Sequence, residues 1–313
     1  MTGNNGGTIL VVGSVALDEI ATPFGRVEEI IGGAGVYFSA AASLFGKVHL
    51  VGVVGDDYPL HELEFLEKRG VDLMGLQRAS GTSFRWGGVY DYDMNTRETT
   101  HTRLGVFADF QPDLPVPSRS AEWVFLGNID PVLQLHVLDQ VIAPKLVACD
   151  TMNYWIEGSN EALLEVIGRI DMLTINDEEA RQLSGSPNLS RAARWIQERG
   201  PRHVVIKKGE HGAILFTDES VFFSPGYPLE EVEDPTGAGD AFAGGLIGRL
   251  ARAGAADPME LRRAVVYGCA LGSFACEAFG PGRLADVSLE EIEARVSAFR
   301  HLTYFEESPE GVT

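Results

Sequence analysis

Short, unbroken runs of apolar residues alternate along the chain with stretches in which apolar residues return every three or four positions. An unbroken apolar run is typical of a strand that is buried on both faces of a parallel sheet. The stretches between these runs have the period of amphipathic helices, so their order predicts βαβ units with helices on both faces of the sheet. The predicted strands are 8–13, 48–55, 123–127, 145–149, 171–175, 203–207 and 212–216, and the predicted helices are 34–45, 59–69, 131–142, 159–168, 177–184 and 188–199.

The pattern becomes mostly helical after residue 240, with predicted helices at 240–253, 258–278 and 288–300. No internal repeat and no low-complexity linker divides the 313 residues, and this length fits one large α/β domain. We therefore predict a single domain over 1–313, built as a three-layer αβα sandwich around a mainly parallel sheet.

One region alternates between apolar and polar positions instead. Residues 83–92 and 98–106 flank a polar turn and predict an antiparallel hairpin, and 17–30 predicts a second extended pair. Such pieces suggest a small β lid over about 17–30 and 82–107, although an extension of the sheet edge is the alternative. One side of the first hairpin is aromatic, and it is expected to cover the substrate or another subunit: Phe84, Trp86, Tyr90 and Tyr92.

The net charge and the cysteines indicate which partners and which cellular location to expect. A formal net charge of -20 argues against a nucleic acid or an anionic membrane as partner. The first ten residues lack the basic and apolar regions of a signal peptide, and no apolar run is long enough to span a membrane, so we expect a cytoplasmic protein. Cys149, Cys269 and Cys276 are expected to be buried, reduced thiols, and His49, His101 and His203 to be structural.

The stretch DPTGAGDAFAGG (Asp234 to Gly245) carries the clearest chemical signal. Its glycines precede a helical repeat of Phe242, Leu246 and Leu250, and a glycine-rich turn that opens a helix offers N–H groups to an anion. The chain has neither a Walker loop nor the spaced glycines of a dinucleotide-binding turn. Residues 237–239 are therefore a candidate phosphate cradle.

Asp240 is unexpected beside such a cradle, because a carboxylate repels phosphate. One interpretation is that it caps the helix, which would stabilise it by ~0.5–1 kcal/mol. The other is that it takes a proton from an attacking hydroxyl during phosphoryl transfer. The spacing of residues alone leaves both open.

The same twelve residues resemble the C-terminal signature of the ribokinase-like (PfkB) carbohydrate and nucleoside kinases, and the order of elements resembles that family over nearly the whole chain. The resemblance implies an ATP-dependent phosphotransferase with an alcohol acceptor and Asp240 as its base. It also implies that the backbone N–H groups of Gly237, Ala238 and Gly239 bind the phosphoryl group in transit.

Two further segments resemble the ATP side of that family. Asn176 and Glu179 match its N-x-x-E motif, which implies that they organise Mg²⁺ largely through water, although an acid-rich helix start gives the same pattern. Residues 205–215 resemble its nucleotide-binding turn, which implies contacts to ATP from Lys208, Gly209 and Gly212, although many hairpins use such a turn.

The resemblance extends to a monovalent-cation loop. Asp234 and Thr236, with Ala275 and Gly280, imply K⁺ binding, but the later polar position is less clear in this sequence. The adenine of ATP is expected near 264–280, where the small residues are equally consistent with helix packing.

The acceptor side matches the family with one departure. Asp18 matches an acid that binds a diol, and Gly32 and Gly33 match the glycines that let backbone approach a sugar. Where that signature has asparagine, this chain has Tyr37, whose hydroxyl can still hydrogen-bond and whose ring can pack on a flat group. Asp130 and Asn153 follow strands and are further candidates for acceptor contacts.

The many aromatic residues near the acceptor motifs favour a ribonucleoside, such as adenosine, over a free sugar. A free-sugar kinase for ribose or fructose remains the alternative, as does a kinase-fold binding or regulatory protein without catalysis, which the Tyr37 departure suggests. A hydrolase lacks support because no G-x-S-x-G turn is present. The lid aromatics also allow a homodimer through the lid.

Overall fold

The computed structural model describes residues 6–306, which form thirteen strands and eleven α-helices. The first five and last seven residues of the predicted domain, which include half of the segment examined for a signal peptide, lie outside the described residues. The strands are β1 (Ile9–Val12), β2 (Ala16–Thr22), β3 (Gly25–Gly32), β4 (Val48–Val54), β5 (Asp72–Arg78), β6 (Phe84–Tyr90), β7 (Arg97–Arg103), β8 (Trp123–Leu126), β9 (Leu146–Asp150), β10 (Met172–Asn176), β11 (His203–Lys207), β12 (Ala213–Phe216) and β13 (Val221–Ser224). The helices are α1 (Ala34–Ala42), α2 (Glu64–Lys68), α3 (Pro131–Leu138), α4 (Asn153–Gly158), α5 (Asn160–Ile167), α6 (Asp177–Ser184), α7 (Leu189–Gln197), α8 (Ala238–Ala253), α9 (Pro258–Ala275), α10 (Gly282–Asp286) and α11 (Leu289–Thr303).

Nine strands form one large sheet in the order β13-β12-β11-β10-β9-β8-β1-β4-β5. All neighbours from β11 to β5 are parallel, whereas β12 and β13 are antiparallel to the strand before them. The prediction that 212–216 is a parallel strand is therefore wrong. Only residues 208–212 separate it from β11, and a parallel connection needs a crossover of about a dozen residues.

Two hydrophobic cores lie on opposite faces of this sheet. Alternate residues of β1 show the division, because Ile9 and Val11 belong to one core and Leu10 and Val12 to the other. The first core is closed by α1, α2, α8, α9 and α11, and the second by α3, α5, α6 and α7. This arrangement confirms the predicted three-layer αβα sandwich around a mainly parallel sheet.

The sequence pattern missed four elements for physical reasons. β5 and β13 are the two edges of the large sheet, and their partly exposed residues do not form an unbroken apolar run. α4 and α10 have six and five residues, which is too short to show a helical repeat.

A second, four-stranded sheet stands apart from the large one in the order β3-β2-β6-β7. Its two hairpins are the two predicted ones, and β2 joins β6 in parallel. Because none of these strands pairs with the large sheet in the described residues, the alternative of an edge extension is wrong. We call this four-stranded sheet the lid sheet.

The predicted environments of the cysteines and histidines are largely confirmed. Cys149 and Cys269 are buried and Cys276 is partly buried, and all three are free thiols. His49, His101 and His203 lie in strands β4, β7 and β11. Within 6–306 no helix has the length and apolar character to cross a membrane.

The small residues at the end of the DPTGAGDAFAGG stretch allow α8 to approach α1 closely. A Cβ atom on Gly244 would stand 2.5 Å from the carbonyl oxygen of Phe38 and 2.8 Å from Cβ of Ala41. Backbone atoms cannot move aside as a flexible side chain can, so only glycine fits at this crossing.

Replacing Gly244 with alanine is expected to lower the free energy of unfolding by about 1–3 kcal/mol, because the added methyl group overpacks the α1–α8 contact. Urea unfolding would measure the change. Gly158→Ala is the matched control, since no atom lies within 4 Å of a Cβ placed on Gly158. Equal stabilities of the two variants would contradict this account of the crossing.

Candidate active site

Three adjacent strands bring polar side chains together at their carboxyl ends. β9 ends at Asp150, β10 at Asn176 and β11 at Lys207, and the register places Asn176 beside Lys207. Carboxyl ends of parallel strands are where α/β folds form their sites. α8 begins at the same edge, where its first turn lies beside the end of β11.

An ion pair joins the outer two of these strands. Lys207 Nζ lies 2.5 Å from Asp150 Oδ2, and both side chains are largely buried. Burial opposes the charge of Lys207, but the carboxylates of Asp150 and Glu179 outweigh it and raise the pKa of the lysine. A methyl group on Gly239 would stand 3.1 Å from Lys207 Nζ, which places this cation beside the first turn of α8.

The predicted phosphate cradle is the N-terminus of α8. Gly237 caps this helix with φ of 74°, a left-handed conformation that favours glycine. A side chain there would also run into the ring of Tyr37. The N–H of Ala238 donates to the carbonyl oxygen of Pro235 at 3.2 Å, so the anion-binding prediction rests chiefly on the amides of Gly237 and Gly239.

Asp240 lies in the first turn of α8 and is half-buried. Burial and the nearby Asp150 raise its pKa to about 7, against the opposing charges of Lys207 and Arg97. A carboxylate with this pKa is half protonated near neutrality, which suits a group that accepts a proton during reaction.

Asn176 and Glu179 form a capping box at the start of α6. Asn176 Oδ1 accepts a hydrogen bond from the N–H of Glu179 at 2.8 Å, and Glu179 Oε2 accepts one from the N–H of Asn176 at 3.0 Å. The motif therefore does cap a helix, and its predicted role in organising Mg²⁺ stays a prediction. Burial and the charge of Asp150 raise the pKa of Glu179 to about 7, against the opposing charge of Lys207.

The turn between β11 and β12 is closed by the N–H of Lys208, which donates to the carbonyl oxygen of Gly212 at 2.7 Å. Gly209 and Gly212 both have positive φ, as this tight turn requires. The tip of the lid sheet reaches the same turn, where Asn95 Nδ2 donates to Glu210 Oε1 at 3.3 Å.

Asp18 is buried on β2 in the lid sheet. Burial and the charge of Asp234 raise its pKa to about 8, and the N–H of Gly33 only partly offsets them. A side chain on Gly32 would run into the Asp18 carboxylate, so the two predicted glycines pack directly around this acid. Gly33 also caps α1, with φ of 92°.

Tyr37 does not offer its ring to a flat ligand group. The side chain is 1% exposed, and its ring lies against the α-carbon of Gly237. Its hydroxyl has no hydrogen-bond partner within 6–306, and burial together with Asp234 and Asp18 raises its pKa well above the ordinary value. The predicted packing of the ring on a substrate is thus replaced by packing under the phosphate cradle, and only the hydroxyl is left for a ligand.

The predicted aromatic side of the lid sheet is only partly assembled. The hydroxyl of Tyr90 accepts a hydrogen bond from Thr236 Oγ1 at 3.0 Å, which fixes that face toward the start of α8. Phe84 packs on Phe107 with ring centroids 5.5 Å apart. Tyr92 is 85% exposed, so its assignment to this face is wrong, because β6 ends at Tyr90 and a turn follows.

Asp130 and Asn153 have local roles in this structure. Asp130 caps α3, where its Oδ1 accepts from the N–H of Val132 at 2.9 Å. Asn153 is exposed at the start of α4, and its Oδ1 accepts from the N–H of Tyr154. Their predicted contacts with an acceptor stay predictions.

Asp234 holds together the loop that leads into α8. It is fully buried, its Oδ1 accepts from the N–H of Thr236 at 2.8 Å, and its Oδ2 accepts from the N–H of Gly280 at 3.4 Å. Asp234 therefore has a structural role in this loop. Among residues 6–306, no three histidine, cysteine or acidic side chains group to hold a metal ion by themselves.

Sequence reasoning missed Asp150, Lys207 and Arg97. Asp150 and Lys207 are the last residues of strands on either side of Asn176, and that position is the signal that could have found them. Arg97 begins the second strand of a hairpin far from the motifs in sequence, and no local pattern marks it.

Comparison with known proteins places the chain among kinases. The sequence pattern of the pfkB family carbohydrate kinase matches residues 8–286. A cytidine kinase of Thermococcus kodakarensis is 30% identical over 251 residues, which cover 78% of this chain and 88% of that protein.

Solved structures share the fold. A nucleoside kinase of Methanocaldococcus jannaschii superposes with a TM-score of 0.75 at 22% identity and covers 95% of this chain and 100% of that one. A putative ribokinase II from E. coli, in complex with ATP and Mg²⁺, superposes with a TM-score of 0.78 at 20% identity and covers 93% of this chain and 99% of that one.

Asp18→Asn is expected to stabilise the protein increasingly as the pH rises from 5 to 8. The folded carboxyl keeps its proton up to about pH 8, whereas the unfolded one loses it near 3.8, so ionisation destabilises the fold across that range. Thermal unfolding at pH 8 should show a rise in Tm of about 2 °C or more. Glu230→Gln, on an exposed carboxylate, is the control. An Asp18→Asn variant that gains no more at pH 8 than at pH 5 would contradict the raised pKa.

Proposed function

Because this chain belongs to the pfkB family of carbohydrate kinases, we propose that it transfers the γ-phosphoryl group of ATP to the primary hydroxyl of a ribonucleoside. The chain is a phosphotransferase that acts on an alcohol group of a nucleoside or a sugar. The preference for a nucleoside, and the roles of individual residues, are the finer parts of this proposal.

One observation carries the choice of a nucleoside. Asp18 and Trp86 are directly paired neighbours on the parallel strands β2 and β6, so their side chains lie on the same face of the lid sheet. Tyr90 lies on that face too and contacts Thr236 beside the phosphate cradle. A buried carboxyl group can form hydrogen bonds with vicinal hydroxyls, and an adjacent aromatic ring suits a base.

Relatives support the same choice. The cytidine kinase and the nucleoside kinase described above act on acceptors of this class by their names, and an aminoimidazole riboside kinase of Salmonella typhimurium is 28% identical over 87% of this chain. A fructokinase is also similar, at 27% identity, which keeps a free sugar as the alternative acceptor.

The residues at the strand ends fit ATP and Mg²⁺. The amides of Gly237 and Gly239 and the Lys207 cation would hold phosphate oxygens, and the turn at Lys208, Gly209 and Gly212 would contact the nucleotide. The capping box uses Glu179 Oε2 and leaves Oε1 for water around the metal, which suits an ion that keeps most of its waters. When bound, Mg²⁺ would neutralise charge on the phosphates. K⁺ at the Asp234 loop and a dimer through the lid stay predictions.

Asp240 would serve as the base. The acceptor hydroxyl gives its proton to the Asp240 carboxylate while its oxygen forms the bond to phosphorus and the bond to the leaving oxygen breaks in line. Lys207 and the cradle amides would bind the phosphoryl oxygens, and Asp18 would orient the ribose. A closed lid sheet would exclude water, which otherwise competes as acceptor.

Asp240→Asn is expected to lower kcat by about 10²- to 10⁴-fold, because the amide cannot accept the proton. Binding of a non-hydrolysable ATP analogue should be retained. In the wild type, kcat/KM should rise with pH through about 7, since the carboxyl must lose its proton first. Asp257→Asn, which removes the cap of α9 near the other end of α8, is the control. Near-normal turnover by Asp240→Asn would rule out the base assignment.

A panel of ribonucleosides, ribose and fructose should identify the acceptor class. We expect at least one ribonucleoside to exceed both sugars in kcat/KM by about tenfold or more, since base stacking contributes ~1–3 kcal/mol. Trp86→Leu should reduce this advantage, whereas Tyr92→Leu, on the exposed aromatic, should not. A preference for ribose or fructose would favour the sugar kinase, and no turnover at all would favour a binding protein.

A further inference from the structure

An arginine of the lid sheet lies on the face that meets the start of α8. Arg97 pairs with Tyr90 across β6 and β7, and residues directly opposite in an antiparallel pair lie on the same face. Because Tyr90 contacts Thr236, this face looks toward Gly237 and Asp240. Arg97 is thus held by the lid sheet and faces residues that stand on α8, next to the large sheet.

The contacts of Arg97 hold its side chain on that face but leave its charge unused. Its guanidinium lies 5.1 Å from the centre of the Trp86 ring, and it is near enough to the Tyr90 hydroxyl to oppose the rise in pKa that burial causes there. Within 6–306 it forms no ion pair, although Arg85 of the same sheet pairs with Asp57 and Glu29.

The acidic residues at the strand ends outnumber the one lysine that faces them. Asp150, Glu179 and Asp240 face Lys207, and Lys207 is already engaged with Asp150 at 2.5 Å. The charge of Arg97 reaches this group, because it lowers the pKa of both Asp240 and Glu179. A phosphoryl group that arrives there brings further negative charge, and arginine binds phosphate oxygens through paired N–H groups.

We propose that Arg97 is a catalytic residue which the lid sheet delivers to the γ-phosphoryl group. This inference rests on the proposed kinase function and adds a residue to it. Arg97 donates hydrogen bonds to the phosphoryl oxygens and keeps its own proton, while Asp240 receives the proton of the acceptor hydroxyl. Since Asp18 lies on the same sheet, a lid seated on the acceptor also places Arg97, and phosphoryl transfer becomes coupled to acceptor binding.

The lid tip supports this coupling. Asn95 stands two residues before Arg97 and touches the β11–β12 turn, where a Cβ on Gly209 would stand 2.6 Å from Asn95 Oδ1. The strand that carries Arg97 is therefore anchored at the predicted nucleotide side as well as beside the acceptor residues. Arg97 lies between these two anchors.

A comparison of ADP binding with ATP-analogue binding distinguishes a contact between Arg97 and the γ-phosphoryl group from a general effect on the site. Isothermal titration, with the best acceptor present, compares Mg²⁺ with ADP and Mg²⁺ with a non-hydrolysable ATP analogue. For Arg97→Gln we expect the affinity for the analogue to fall by about tenfold or more, because only the analogue has a γ-phosphoryl group, and the affinity for ADP to change little. Arg97→Lys should recover part of the loss.

Arg103→Gln is the matched control. Arg103 is on the same strand and is also exposed, but it pairs with Arg85 and so lies on the other face of the lid sheet. In turnover assays Arg97→Gln should lower kcat by about 100-fold or more, with Arg103→Gln near wild type. The pH at which kcat/KM rises should also move upward in Arg97→Gln, since removal of a cation raises the pKa of Asp240.

Equal losses of ADP and analogue affinity in Arg97→Gln, or no loss of either, would overturn the proposal. The same holds if Arg103→Gln behaves like Arg97→Gln. If the wild type phosphorylates none of the acceptors but Arg97→Gln still weakens only the analogue, the kinase proposal fails while the contact with the γ-phosphoryl group stands.

Discussion

The ion pair between Lys207 and Asp150 is the interaction on which the rest of the site depends. Three strand ends and the first turn of α8 converge on one edge of the sheet, and they bring Asp150, Glu179 and Asp240 together. Without a buried cation these acids would repel one another in a medium that stabilises charge poorly. Lys207 opposes this repulsion, while burial and the charge of Asp150 still raise the pKa of both Glu179 and Asp240 to about 7.

The other half of the site is built on a different sheet. Asp18, Trp86 and Arg97 stand on the lid sheet, whereas Asp240 and Lys207 belong to the large sheet and its helix. The contacts that connect them near the strand ends include the Tyr90–Thr236 hydrogen bond and the contact of Asn95 with Glu210. The groups that we propose to react are therefore complete only in a conformation where both sheets meet. In the proposed mechanism, this division links acceptor binding to phosphoryl transfer.

The features that could be predicted from the sequence are those that leave a local pattern of residues. Unbroken apolar runs located seven strands of the large sheet and the glycine turn located the start of α8, because burial and tight turns leave local marks. Edge strands such as β5 left no such mark. Lys207 could be found only from its place at the end of a strand beside Asn176, and no local pattern marks Arg97. Tyr37 shows the limit most clearly, because its position in a motif suggested contact with ligand, while the fold uses its ring to support Gly237.

The close crossing of α1 and α8 also fixes a distance. Gly33 caps α1 beside Asp18, and α8 carries Asp240 in its first turn. The depth at which Gly244 meets α1 therefore sets how far apart these two acids stand. A shift of about 1 Å between reacting groups can cost on the order of a hundredfold in rate. Substitutions at this crossing can therefore misalign two correctly folded halves of a site. Residues that contact no ligand, such as Gly244, can therefore affect the rate through the spacing of the residues that do.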